Sequence, residues 1–300
     1  MKTVKAKNLD IKIPKANAFA FETDPDQIKL HTNMLFNAKR GMGKTTSAVN
    51  LLEKLPFDRI FVISPSIKSN HELMKRLKLE DSDIYEDPDD ISCLGNIIKK
   101  IEQERDDLEE YREKMKRWNE LQNQIQFRTG EVDQDLLLDF YNAGRFEKPQ
   151  HRWNGKVPCI AILFDDVVGS MLFTKGIRQL NKLTIYHRHI GQFKDGGAVG
   201  CSLFFLVQSY KAQAGGISKC IRNNITHMAL WRTKNKKELE DISQEMSGEV
   251  DQETFYKLYE YATQGKHDFL FIDLHPKDSH PSQFRRNFNE FLIPNQINDK

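Results

Sequence analysis

Short apolar runs recur along the chain, each closed by a turn or helix signal. They are "NMLFNA" centred on Met34–Phe36, "RIFVIS" at Arg59–Ser64, "CIAILFDD" at Cys159–Asp166, "SLFFLVQ" at Ser202–Gln208, "THMALW" at Thr226–Trp231 and "DFLFIDL" at Asp268–Leu274. They are continuous, rich in β-branched and aromatic residues, and do not alternate with polar positions. That pattern predicts strands covered on both faces. Helical spacing fills the intervals, which predicts βαβ units and a mainly parallel sheet flanked by helices.

Two stretches break the rhythm. "LEDSDIYEDPDD" (Leu79–Asp90) is an acidic, proline-containing loop, and Asn96–Gln126 after it reads as one long helix. Ile97, Ile101, Leu108, Tyr111, Met115, Trp118 and Ile125 fall on three- and four-residue steps, with Glu104 and Gln122 interrupting the seam. Such a stripe suits a coiled coil, half of a helical hairpin, or an amphipathic helix lying on its own domain. The expected organisation is therefore 1–79 as the N-terminal segment and first part of the core, 80–157 as an acidic helical insertion, and 158–300 as the second part with a C-terminal tail. No internal repeat or low-complexity linker is present.

At 300 residues with 39% hydrophobic and 29% charged content, the chain has ample material for a large buried core. It has no run of about eighteen apolar residues, so no membrane span is expected. The opening "MKTVKAKNLDIKIPK" is basic but lacks the apolar centre of a signal peptide, so secretion is not expected. Cys93, Cys159, Cys201 and Cys220 are scattered without a C-x-x-C pair, which argues against disulfides and a zinc ribbon. The net charge of +2 conceals a strong asymmetry. Glu80–Glu113 holds fourteen Asp/Glu against four Lys/Arg, and Leu172–Glu240 holds twelve Lys/Arg against three Asp/Glu.

The first apolar run leads into "NAKRGMGKTTS" (Asn37–Ser47), followed by helical spacing at Ala48, Leu51, Leu52 and Leu55. A glycine-rich turn between strand and helix is the form of a phosphate-binding loop, in which backbone N–H groups and a helix N-terminus converge on phosphates. Arg40, Gly41, Met42, Gly43, Lys44, Thr45 and Thr46 are the expected nucleotide-binding residues. Lys44 supplies the cation at the β/γ oxygens, and Thr45 the hydroxyl on the Mg²⁺ side. Ala38 stands where the pattern G-x-x-x-x-G-K-[ST] has glycine. It adds a methyl group but removes neither donor nor charge.

"CIAILFDD" supplies an acidic partner. Asp165 is placed to hold Mg²⁺ with Thr45, and Asp166 to polarise the attacking water. The arm of Asp166 is shorter than the glutamate common in such ATPases. "RIFVIS" comes between the two motif strands, an order implying a sheet in which an extra strand separates the phosphate-loop strand from the Asp-Asp strand. That arrangement resembles the RecA-like ATPases rather than the nucleotide kinases and GTPases, so a RecA-like P-loop ATPase core of the α/β class is expected. Gln208, ending "SLFFLVQSY", is a polar amide at a strand's C-terminal edge, placed to sense the γ-phosphate. ATP and Mg²⁺ are the expected cofactors. The spacing of His187 with His189, and of His275 with His280, does not suit zinc.

In order, "KRGMGKT", "ILFDD", "YHRHIG", "LFFLVQSY" and "IRNNITHMALWR" resemble the genome-packaging ATPases of large DNA viruses, the poxvirus type within the FtsK–HerA superfamily. The likeness spans about residues 30–274, with 80–157 outside it. It implies an ATP-driven translocase acting on double-stranded DNA without sequence preference and working as a homo-oligomeric ring. It also implies a capsid or membrane-associated virion protein as partner, and a location in the infected host cell's cytoplasm or the virion. Lys44 and Thr45 match the Walker A pair, Asp165 and Asp166 the Walker B pair, and Gln208 the sensor. Arg188 matches the trans-acting arginine of ring-forming relatives, Lys175 is a nearby basic candidate, and Arg222 matches the "IRNN" segment. A cellular or plasmid DNA pump or helicase would share these motifs. A nucleotide-dependent assembly scaffold would share the binding residues without turnover. "GQFKDGGAVG" (Gly191–Gly200) reads as a mobile loop able to grip DNA, and "SQFRRNFNEF" as a basic-aromatic contact or a docking helix.

Overall fold

The computed structural model describes residues 21–127, 147–211 and 216–294, with helical positions at 138 and 141. The basic N-terminal stretch, the Ile125 side chain and part of the expected insertion lie outside the described residues. The strands are β1 (Asn33–Asn37), β2 (Arg59–Ile63), β3 (Ile84–Tyr85), β4 (Ile160–Asp165), β5 (Ser202–Val207), β6 (His227–Trp231), β7 (Phe269–Asp273), β8 (Phe284–Arg286) and β9 (Glu290–Leu292). They form one sheet of order β3-β2-β4-β5-β1-β6-β7-β8-β9. Pairing is parallel from β3 through β6 and antiparallel from β6 through β9.

The mainly parallel α/β sheet expected from the apolar runs is therefore present, and all six runs are strands. One strand does separate the phosphate-loop strand from the Asp-Asp strand: it is the glutamine-ended β5, while β2 packs on the outer side of β4. Register aligns Asn37 with Val207 and Asp165 with Leu206, so three motif-bearing strands end at one edge.

The continuous apolar runs follow from two covered faces. Leu35, Phe61, Ile162, Phe205 and Met228 point into one core layer, and Met34, Val62, Leu163, Phe204 and Ala229 into the other. The second layer is closed by α1 (Lys44–Leu52) and α2 (His71–Lys75). The first is closed by α3 (Ser92–Phe127), α4 (Ile177–Tyr186), α5 (Lys219–Asn223), α6 (Lys236–Glu245) and α7 (Gln252–Ala262). No described helix is long and apolar enough to cross a membrane.

The long helix begins inside the core, where Ile97, Ile101 and Leu108 are fully buried with the sheet. Glu104, which interrupts the apolar seam, accepts from Arg59 Nη1 at 2.7 Å and from Trp153 Nε1 at 2.5 Å. Arg59 also forks onto Asp83 at 2.6 and 2.7 Å. This buried network ties α3 and the start of β3 to β2.

Two expectations are corrected. "SQFRRNFNEF" is a β8–β9 hairpin rather than a docking helix; Asn287 turns it with φ 53° and accepts from Phe269 N. "GQFKDGGAVG" is a closed turn rather than a mobile loop. Gln192 bridges Ala198, Arg105 donates to Gln192 O at 2.9 Å, and Glu109 accepts from Lys194 N at 2.9 Å.

Candidate active site

The phosphate loop runs from the end of β1 to the start of α1. Ala38 is buried in the core and is not among the residues with positive φ, so its backbone has no need of glycine. Its N–H donates to Val207 O at 3.1 Å, tying the loop to β5. Glycine is required later: Gly43 has φ 92°, and a Cβ there would meet His267 Nδ1 at 3.3 Å. No side chain caps α1 and no acidic residue occupies its first turn. Its orphan N–H groups thus face an open cleft, the arrangement that favours an anion.

That cleft holds about 460 Å³ and is lined by Lys39, Arg40, Gly41, Gly43, Lys44, Thr45, Thr46, Ser66, Ser69, Asn70, Asp166 and Gln208. Met42, expected among the nucleotide-binding residues, does not line the cleft: its side chain packs against the core and its carbonyl faces His267 Nδ1 at 3.1 Å. Lys44 is nearly buried, with Nζ 3.7 Å from Asp166 Oδ1. Gln208 Nε2 donates to that same oxygen at 2.8 Å. The Lys44 ammonium, at the start of α1, and the Gln208 amide, after β5, thus converge on one carboxylate oxygen of Asp166, after β4.

Asp165 lies beneath, only 1% exposed, with Thr45 Oγ1 3.4 Å from each carboxylate oxygen. Burial pushes its carboxyl up to about 6; the Lys44 ammonium opposes the rise, Asp166 adds to it, and the Thr45 hydroxyl opposes it. No cluster of three or more His, Cys, Asp or Glu suited to a metal exists among the described residues. A nucleotide-borne Mg²⁺ does not need one, since it takes one or two protein oxygens beside phosphate and water. The hydroxyl and carboxylate of Thr45 and Asp165 fit that hard-donor requirement. Asp166 has φ 56°, a left-handed conformation that aspartate tolerates better than most residues.

The arginine candidates lie elsewhere. Arg188 is exposed in the short turn His187–His189. His187 O accepts from Cys201 N at 3.0 Å, placing the turn at the N-terminal end of β5. That is a strand length, roughly 20 Å at ~3.3 Å per residue, from Gln208 at the other end. Arg188 and its own phosphate loop occupy opposite edges of the sheet. Arg222 is engaged internally, donating to Ile217 O at 2.8 Å, 3.4 Å from Glu245 and over the Tyr210 ring. Lys175 is exposed in the β4–α4 connection. His187 is buried, its ring nitrogens facing Thr184 O and His31 O.

Several site groups escape motif spacing. Ser66, Ser69 and Asn70 come from the polar run "SPSIKSN" after β2; its position at a strand's C-terminal end was the available signal. Lys39 donates to Gln208 O at 3.1 Å. Buried Glu238, at the start of α6, accepts from Asn37 Nδ2 and from Ser209 Oγ, each at 2.9 Å. It joins the residue before the phosphate loop to the residue after Gln208, and no local pattern announces it.

No protein-family model and no curated protein matches the chain. Solved structures similar to it include two NTP-analogue complexes. One is the pCW3 conjugation coupling protein TcpA in a monomer form with ATPγS, at 16% identity and a TM-score of 0.43, covering 92% of this chain and 65% of that one. The other is the genome-packaging NTPase B204 of Sulfolobus turreted icosahedral virus 2 with ATPγS, at 11% identity and a TM-score of 0.37, covering 88% and 98%. The chain thus spans just under two thirds of the coupling protein's length.

Proposed function

We propose that the chain is a DNA-translocating ATPase that packages a viral genome as a homo-oligomeric ring. The observation that carries the ATPase reading is the convergence of Lys44, Asp166 and Gln208 on one oxygen above the buried Asp165–Thr45 pair. In this reading the loop N–H groups of 40–46 and the N-terminus of α1 bind the phosphates, and Lys44 neutralises the β/γ oxygens. Thr45 and Asp165 would hold Mg²⁺, which when bound offsets phosphate charge. Asp166 accepts the proton of the attacking water as its oxygen bonds the γ-phosphorus and the bond to ADP breaks. Gln208 orients that carboxylate.

Arg188 serves the site of a neighbouring copy. Its exposure at the far edge supports this, as do Ile185 and Tyr186 beside it, 56% and 43% exposed. DNA and a capsid-side partner follow from the resemblance in the motifs.

ATP hydrolysis with and without duplex DNA, for the wild type, Lys44→Ala and Asp166→Asn, tests the reading. Wild-type turnover that DNA stimulates and both variants abolish is the expected result. No turnover in any oligomeric state overturns it in favour of a nucleotide-dependent scaffold.

A further inference from the structure

The charge asymmetry of the sequence resolves unequally in the fold. Many carboxylates of the acidic stretch already have partners: Asp83 with Arg59 and Lys100, Glu104 with Arg59, Glu109 with Lys194, Glu80 with Arg152 and Glu86 with Lys68. On the basic side, Lys194 is consumed by Glu109 and Arg286 by Asp268, while Arg285 is 3% exposed. Lys175, Arg178, Lys182, Arg188 and Lys219 are exposed but spread along the chain, whereas Arg232, Lys234, Lys236 and Lys237 fall within six residues. All four are exposed, and none has an ion pair or hydrogen-bond partner among the described residues.

These cations sit on a hydrogen-bonded turn and on the first two residues of α6. Tyr259 donates its hydroxyl to Trp231 O at 3.0 Å and accepts from Thr233 N at 2.7 Å. Thr233 Oγ1 accepts from Asn235 N at 3.1 Å, and Asn235 Oδ1 accepts from Glu238 N at 3.2 Å. The turn follows β6, whose Leu230 is in register with Asn37, so it lies at the edge that carries the phosphate loop. The next side chain inward, Glu238, is the one that holds Asn37 and Ser209.

We propose that the Arg232–Lys237 turn docks the phosphodiester backbone of nucleic acid, and that Glu238 links its occupancy to the nucleotide site. The inference rests on the ATPase reading above and adds where the polymer touches and how its binding reaches the chemistry. Four exposed cations within six residues, without an ion-pair partner among the described residues, fit a polyanion with regularly spaced charges. The rival occupant, an acidic face of a second copy, is weaker, since half of the fourteen carboxylates of 80–113 already have ion-pair partners. Glu238 is a positioning residue here, because it acts through Asn37 and Ser209 rather than on substrate.

The test is anisotropy of the full chain on a fluorescent duplex oligonucleotide across a salt series, paired with DNA-stimulated ATPase. The triple variant Lys234→Gln, Lys236→Gln, Lys237→Gln should lose affinity at about tenfold for each lysine that meets a phosphate near 0.1 M salt. Its log–log salt slope should flatten by ~0.9 for each phosphate no longer neutralised, and DNA stimulation should disappear. Glu238→Gln should keep DNA affinity while losing stimulation, and Ser209→Ala should repeat that result if Glu238→Gln folds poorly. A wild type that hydrolyses ATP and binds DNA, with a triple variant unchanged in affinity and slope, overturns the docking site and leaves the ATPase reading intact. A triple variant altered in oligomeric state but not in DNA affinity overturns it in favour of self-association. Stimulation retained in both Glu238→Gln and Ser209→Ala overturns the link. A wild type that binds no DNA sinks this inference and the translocase reading together.

Discussion

Replacing Asp166 with asparagine removes one proton acceptor and disturbs little else. Asparagine is as much at home at φ 56° as aspartate, so the backbone is kept. The amide oxygen can still accept from Gln208 Nε2, now at 2.8 Å. The ion pair with Lys44 spans 3.7 Å with Asp166 42% exposed, so its removal costs about 0–1 kcal/mol. Nucleotide affinity should then stay within about threefold of wild type, and thermal stability within a few degrees.

Hydrolysis should respond far more. A positioned general base contributes roughly 10²–10⁴ in rate, or about 3–5 kcal/mol of barrier. Single-turnover phosphate release, with nucleotide affinity measured separately, should show kcat falling at least ~100-fold while affinity holds. Asp166→Glu should fall between the two, although glutamate is common at this position in similar ATPases. Its added methylene moves the carboxylate by over ~1 Å, a displacement that can cost about 10². Glutamate also tolerates a left-handed backbone less well, at ~1 kcal/mol. An Asp166→Asn protein that hydrolyses at the wild-type rate refutes the base assignment. One that loses nucleotide binding along with turnover shows that Asp166 builds the site instead.

Other perturbations probe what supports that chemistry. Arg59→Met leaves buried Asp83 to Lys100 and buried Glu104 to Trp153 and Arg152, and the charged hydrogen bonds lost should cost about 2–3 kcal/mol in urea unfolding; an unchanged midpoint would show the network to be idle. Gly43→Ala, at φ 92° and 3.3 Å from His267, should lower nucleotide affinity at least about tenfold on top of ~1–2 kcal/mol of strain. Gly41→Ala, with nothing within 4 Å of the new Cβ, should show the strain alone, and equal affinities would contradict this contrast. Burial lowers the His31 pKa to about 4, against 6.5 in the unfolded chain, and depresses His187 in the same direction. The unfolded state binds more protons between these values, so this stability is complete above pH 6.5 and is lost as pH falls toward 4. The His31 share is about 2 kcal/mol once the ring's partial exposure is allowed for. His31→Asn, compatible with φ 58°, should flatten the difference between unfolding at about pH 7 and about pH 5, and an unaltered difference would exclude His31 as its source.

What was legible in the sequence is what local spacing encodes. Six strands announced themselves because both faces of each must be apolar, and the phosphate loop because strand, glycines, lysine and hydroxyl are contiguous. Strand direction was not legible: β7 is as buried and apolar as the parallel strands yet runs antiparallel to β6. Phe284, Phe288 and Phe291 fall on four- and three-residue steps that imitate a helix. Instead Asn287 reverses the chain, and Phe288 packs on Phe269 and Phe271. The pairs that assemble the site were the least visible. Asn37 and Glu238 are separated by 201 residues, and only the fold brings them together.

The two edges of the sheet constrain how copies can cooperate. Lys44, Asp165, Asp166 and Gln208 belong to the C-terminal ends of β1, β4 and β5, while Arg188 belongs to the N-terminal end of β5. For Arg188 of one copy to reach the phosphate loop of another, opposite edges must meet. A twofold interface joins a surface patch to itself, so one patch would have to span the helix-covered sheet from edge to edge. A head-to-tail interface has no such requirement, and it closes only as a ring or continues as a filament. Activity should therefore depend steeply on protein concentration and accompany assemblies larger than a dimer. Mixing Arg188→Ala with Lys44→Ala subunits should restore part of the activity, because some interfaces then pair an intact arginine with an intact lysine. Full activity in Arg188→Ala alone would remove Arg188 from the reaction, and full activity in a symmetric dimer would leave the ring without its chemical rationale.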